Sequence, residues 1–204
     1  VPHAPDVTKK EVEPTNKQDA DTMNATAVGD PSKIRGWTAA TPAVQQAINE
    51  ASARTGVDSS LLAQFALIES SYNPTAKAKT SSATGLYQHI DGTWMGLVRE
   101  NRIPGVNPNM PTAEALALRT NPLYSALGGA AYLQQNAKTI KSNNPGDLYL
   151  AHFSGPGSAK RIIRACDSGN GGQSLEEVLG VKTATRMKNA NPQLRSMDAA
   201  GLRA

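Results

Sequence analysis

Apolar positions along the chain recur mainly at helical spacing, and the breaks between runs are marked by capping residues, Pro and Gly. Thr41 and Pro42 suit an N-cap and a first helical position, after which Val44, Ala47, Ile48 and Ala51 line one face until Gly56. Asp58 is placed to cap a second helix. Its Leu61, Leu62, Phe65, Ala66 and Ile68 make an apolar face broad enough for a central, buried position, and Asn73-Pro74 marks its end. A Lys, Ser and Thr loop over 75–84 leads into a compact segment from Gly85 to Ile90, with Asp91 or Thr93 placed to cap a helix through Val98. Pro104, Pro108 and Pro111 predict an irregular connection and Thr112 the cap of a short helix. Asn121-Pro122 restarts the chain into a longer helix whose Leu127, Ala130, Ala131 and Leu133 face inward. Two short helices are expected around Gly155-Pro156-Gly157, and another capped by Ser174.

The ends read differently. Residues 1–33 are charged, Pro-punctuated and poor in large apolar side chains, which predicts a flexible tail or linker. Residues 34–188 carry the helices as one domain, and 189–204 are expected to form a loosely held C-terminal tail. Few aromatics and abundant Ala, Leu, Ser, Thr and Asn favour an all-α fold over a sheet sandwich. With 204 residues the chain can bury one sizeable core but hardly two. A start at Val1 without Met reads as that of a processed product or fragment, and Asn24-Ala25-Thr26 fits a glycosylation sequon.

Charge and composition narrow the chemistry by exclusion. The net charge is +4, yet residues 1–31 hold three Lys against six Asp and Glu, so the remainder is distinctly basic. Such a body attracts anionic polymers or simply stays soluble. Outside Lys160, Arg161 and Arg164 the cations are scattered without interleaved aromatics, and nucleic acid is not a predicted partner. Cys166 is the only cysteine, and His3, His89 and His152 lack the spacing of a zinc helix, so neither a metal nor a cofactor is predicted. No apolar run approaches the ~18 residues of a membrane span.

Glu69 is the one acid between Asp58 and Asp91, and it falls in the last turn of the second helix beside Phe65 and Leu67. Protonating a glycosidic oxygen requires a positioned carboxyl group that carries its proton, and a lone acid among apolar neighbours has that character. On its own, however, Glu69 reads more readily as a residue that closes the helix or pairs with a Lys of the next loop.

The surrounding motifs change this. Glu69-Ser70 with Asn73-Pro74, then Gly85-Leu86-Tyr87-Gln88 sixteen residues after the acid, then Ala151-His152-Phe153-Ser154-Gly155-Pro156-Gly157, stand in order along the chain. Together they resemble the three motifs of the soluble lytic transglycosylase family, usually worded E-S-x-x-N-P, G-L-M-Q and A-Y-N-A-G-P-G. The likeness runs from about Ala43 to about Ala165. It implies a lysozyme-like helical fold and a peptidoglycan glycan strand as substrate, cleaved between N-acetylmuramic acid and N-acetylglucosamine with a 1,6-anhydro product. Glu69 is then the single catalytic acid and base, with no second carboxylate and no cofactor.

Gln88 and Gly85 are expected to meet the glycan, the first by hydrogen bonding and the second by close backbone approach. Ser70 is a candidate to orient the acid or to help close the helix end. The chain departs from the usual wording at Tyr87, where Met is common, and at His152-Phe153-Ser154. His152 can donate to a sugar or to Glu69, and the aromatic rings of Tyr87, Phe153, Tyr132 and Tyr149 are candidate cleft surfaces. Asp91 reads as a helix cap, and otherwise as the second carboxylate of a hydrolytic muramidase; an inactive wall-binding module is the third reading. The forms GLYQHIDGTW and LYLAHFSGPG resemble transglycosylase domains of bacteriophage virion proteins. They imply action in the periplasm or cell wall during genome delivery, alongside other virion proteins, with an exported bacterial enzyme as the alternative.

Overall fold

The computed structural model describes residues 29–203. Among the described residues ten α-helices are joined by loops and short 3₁₀ turns, and β pairing is confined to isolated bridges. The domain is all-α, as its periodicity predicts.

Helix α1 (Pro42–Thr55) is capped by the Thr41 hydroxyl and stops at Gly56, which takes the left-handed conformation that favours glycine. It buries Val44, Ile48 and Ala51 along α5 (Pro122–Ile140), the longest helix described. Helix α2 (Ser59–Ser70) is capped by Asp58, whose carboxylate accepts from the Ser60 and Leu61 amides. Helices α3 (Asp91–Arg99) and α4 (Thr112–Ala117) begin without any side-chain cap, contrary to the expectation for Asp91, Thr93 and Thr112. Asp91 is instead the first helical residue, and its carboxylate meets Arg119 Nη2 at 2.8 Å. The Thr112 hydroxyl accepts from Arg99 at 3.3 Å.

The Gly128-Gly129 pair of α5 sets how tightly the centre closes. A Cβ at 128 would lie 2.3 Å from the Trp94 ring, and one at 129 would lie 2.7 Å from the Tyr87 ring. Both aromatics therefore rest directly on the helix backbone. Each also satisfies its polar atom, Trp94 Nε1 donating to the Ala115 carbonyl at 2.7 Å and Tyr87 Oη to the Leu62 carbonyl at 3.1 Å.

Helices α6 (Pro145–Ser154) and α7 (Pro156–Asp167) flank Gly155, and α8 (Leu175–Leu179) starts with a capping box between Ser174 and Glu177. Helix α9 (Val181–Ala190) follows, and α10 (Ala199–Arg203) ends the described chain. The segment expected as a loose tail from 189 is packed: Leu194 and Ala199 are buried, and the Ala199 and Ala200 amides donate to the Gln173 and Gly171 carbonyls. Arg203 fixes it further, reaching both oxygens of Asp147 at 2.8 and 3.2 Å and Asp167 at 2.6 Å. This clamp ties α10 to the first turn of α6 and the last of α7.

Order also begins earlier than residue 34. Asp30 caps a 3₁₀ turn at Pro31–Lys33, Pro31 is buried, and the Asp30 amide donates to Ser60 Oγ at 3.1 Å. Residues 1–28, with His3 and the Asn24 sequon, lie outside the described residues.

Candidate active site

The C-terminus of α2 is closed by two consecutive residues with positive φ, Ser71 at 51° and Tyr72 at 64°. The Ser71 amide donates to the Leu67 carbonyl and that of Tyr72 to Ala66, so the chain turns sharply just after Glu69. Tyr72 then packs edge to face on Trp37, and the Asn73 side chain accepts from the Thr75 amide at 2.9 Å, starting the loop. The E-S-x-x-N-P pattern is thus a helix stop that holds Glu69 in a last, well-supported turn.

Glu69 faces α6. His152 Nε2 lies 2.9 Å from Glu69 Oε1, and the two side chains are 18% and 19% exposed. Phe65, one turn before Glu69, meets the His152 ring edge to face at 5.5 Å and the Tyr149 ring at 5.9 Å. Tyr132 of α5 stands on the imidazole as well, at 5.7 Å, and His89 lies 5.5 Å from Tyr132. An acid, two imidazoles and three aromatic rings from α2, α5, α6 and the loop before α3 thereby converge.

Tyr149 and Phe153 are one helical turn apart on α6 and 40% and 37% exposed. Along with Leu194 and Met197 of the C-terminal segment they line a groove of about 390 Å³. These two rings are available to an external ligand.

Two expected contacts, those of Tyr87 and Gly85, are corrected by the structure. Tyr87 is 2% exposed and bonded to Leu62, so its ring belongs to the core and cannot stack on a sugar. Gly85 does serve a close approach, but to protein: a Cβ there would sit 2.0 Å from the Arg119 carbonyl oxygen and 2.9 Å from Ser125 Oγ. Ser70 turns its hydroxyl back to the Ala66 carbonyl at 3.0 Å and closes the helix. Gln88, at φ 48°, donates its amide to the Ala76 and Gly85 carbonyls at 3.2 and 2.9 Å, which pins the loop.

Two residues of the site were not singled out from the sequence. Arg119, 7% exposed, donates to the Ser82, His89 and Leu116 carbonyls and pairs with Asp91, holding the 82–91 segment in place. Its one signal is a lone cation at the end of an apolar helix. His89 is 4% exposed, and neither ring nitrogen has a hydrogen-bond partner among the described residues. Burial above all, with the charges of His152 and Arg119, pushes it down to about 3.

Between the ordinary value of 6.5 and about 3 the unfolded chain binds a proton at residue 89 that the folded chain refuses. This contribution to stability is complete above pH 6.5 and is lost as pH falls through that window. Thermal melts at stepped pH are expected to show the parent's Tm falling on acidification more steeply than that of His89→Leu.

Among the described residues no group of three His, Cys, Asp or Glu side chains could hold a metal ion, and no helix is long and apolar enough to cross a membrane. The arrangement is suited to proton transfer at a single carboxyl group in a partly dry, ring-lined setting. Residues 46–171 match the family model described as the transglycosylase SLT domain, which takes in Glu69, the 85–88 loop, α5, α6 and all of α7.

Proposed function

The chain belongs to the transglycosylase SLT family, and from that premise we propose that it cleaves the glycosidic bond between N-acetylmuramic acid and N-acetylglucosamine by intramolecular transglycosylation, with Glu69 as the sole acid and base. Glu69 gives its proton to the bridging oxygen as the bond from that oxygen to muramoyl C1 breaks. The resulting carboxylate takes the proton of the muramoyl 6-hydroxyl as O6 bonds to C1. Proton and bond counts close without water, and the product end is 1,6-anhydromuramic acid. Positive charge developing at C1 is met by the substrate's own 2-acetamido oxygen.

The observation that carries this reading is Glu69 itself, a partly buried acid set against His152, whose imidazole is flanked by the rings of Phe65 and Tyr132. The rival carboxylate of a muramidase, Asp91, is bound to the buried Arg119 guanidinium, which makes it a poor nucleophile or base. Exposed Tyr149 and Phe153 offer faces for sugar rings, and the partly exposed Tyr132 and the carbonyl end of Gln88 offer polar contacts.

For the setting we favour a virion-borne enzyme that opens the wall locally during genome delivery. That choice rests on the wording of the 85–94 and 148–157 segments.

Mass spectrometry of purified peptidoglycan after digestion tests the reaction. Anhydromuramoyl ends are expected. Reducing ends would assign a muramidase, and glycan binding without turnover would assign a wall-binding module.

A further inference from the structure

We propose that His152 is a positioning residue that fixes which oxygen of Glu69 carries the transferred proton. This inference rests on the reading of Glu69 given above. Nε2 of His152 and Oε1 of Glu69 are 2.9 Å apart, a contact that needs one proton between them. The imidazole cannot readily turn away. Phe65 meets it at an interplanar angle of 90° and Tyr132 at 77°.

With Nε2–H as donor, Oε1 is engaged as an acceptor and the acid proton is left to Oε2. Carboxylic acid and carboxylate both accept at Oε1, so the hydrogen bond survives both half-reactions while Oε2 gives one proton and takes another. The opposite arrangement, Oε1–H donating to Nε2, holds the proton inside the pair and away from the glycan. Fixing the donor is therefore equivalent to aiming the proton.

The usual family wording has a Tyr where His152 stands, and a phenol does not gain a charge on acidification. An imidazole does. The titratable groups facing the His152 ring are Glu69 on α2 and Tyr132 on α5, with Tyr149 on its own helix, His89 behind Tyr132 and Arg119 beyond His89. Burial pushes the Tyr132 phenol up and the His89 imidazole down, so both stay neutral in the working range. A charged imidazole at this distance holds the carboxylate and weakens it as a base toward the 6-hydroxyl. Acidification that charges the imidazole is therefore expected to lower activity in the parent.

The test combines pH profiles of anhydro-product release for the parent, His152→Gln, His152→Phe and Glu69→Gln with the imidazole ¹⁵N spectrum of the parent. Gln keeps an N–H donor without a charge change: His152→Gln is expected to hold kcat within about 5-fold at the plateau and to lose the acid limb. His152→Phe keeps a ring without a donor and is expected to lower kcat on the order of 10-fold to 100-fold, with KM little changed. The spectrum is expected to show the Nε2–H tautomer at the plateau pH. An Nδ1–H tautomer, a parental acid limb in His152→Gln, or parental kcat in His152→Phe overturns the proposal while leaving Glu69 in its role. Turnover by Glu69→Gln overturns the role of Glu69 and this inference together.

Discussion

Replacing Glu69 by Gln is expected to lower the rate of glycan cleavage by about 10³-fold or more while leaving the fold intact. General acid and base catalysis by one positioned group contributes on the order of 10² to 10⁴ in rate, and here the same carboxyl group is assigned both proton transfers. The amide has nearly the same shape, creates no cavity, and still offers a carbonyl oxygen to His152 Nε2, now 2.9 Å from Oε1. Initial rates of product release beside thermal melts of both proteins check this. A parent-like Tm with lost turnover is the expected pair of results; a variant that keeps a tenth of the activity contradicts the assignment.

The second large effect is on stability. Gly85→Ala is expected to cost about 3 kcal/mol or more, because two penalties coincide. The backbone has φ +87°, and the new Cβ meets the Arg119 carbonyl oxygen at 2.0 Å, a backbone atom that cannot rotate aside. Relief requires shifting Arg119, which also holds Ser82, His89 and Asp91. Gly56→Ala is the matched control. Its φ is +73° with nothing within 4 Å of the added carbon, so only the conformational penalty of about 1 kcal/mol applies. Urea unfolding of the two variants and the parent measures both; equal losses would show that the Arg119 contact is not tight.

Much of this fold is legible locally. Helices α1, α2 and α5 announce themselves through Thr41-Pro42, Asp58 and Asn121-Pro122, followed by apolar residues at helical spacing. Glu69 is legible for the same reason, since a helix stop at Ser71 and Tyr72 leaves it in the last turn. Partnerships between distant segments are not written in local pattern. The His152 contact joins residues on α2 and α6, and the sequence leaves a sugar and Glu69 equally open as its partner.

Tyr87 shows the same difficulty from the other side. Its place in a motif of the family suggested the cleft, but room made by Gly129 and a carbonyl at Leu62 draw it into the core. The C-terminal segment reads as a tail because it has few large apolar residues. What anchors it is the fit of Arg203 to Asp147 and Asp167, carboxylates on two other helices.

The central claim is that the 6-hydroxyl of the substrate, not water, completes the reaction at C1 under the control of Glu69. Digestion of purified peptidoglycan in ¹⁸O-enriched water, followed by mass spectrometry of the new glycan ends, tests this most directly. Anhydromuramoyl ends free of ¹⁸O are the predicted result; labelled reducing ends released by the parent would contradict it.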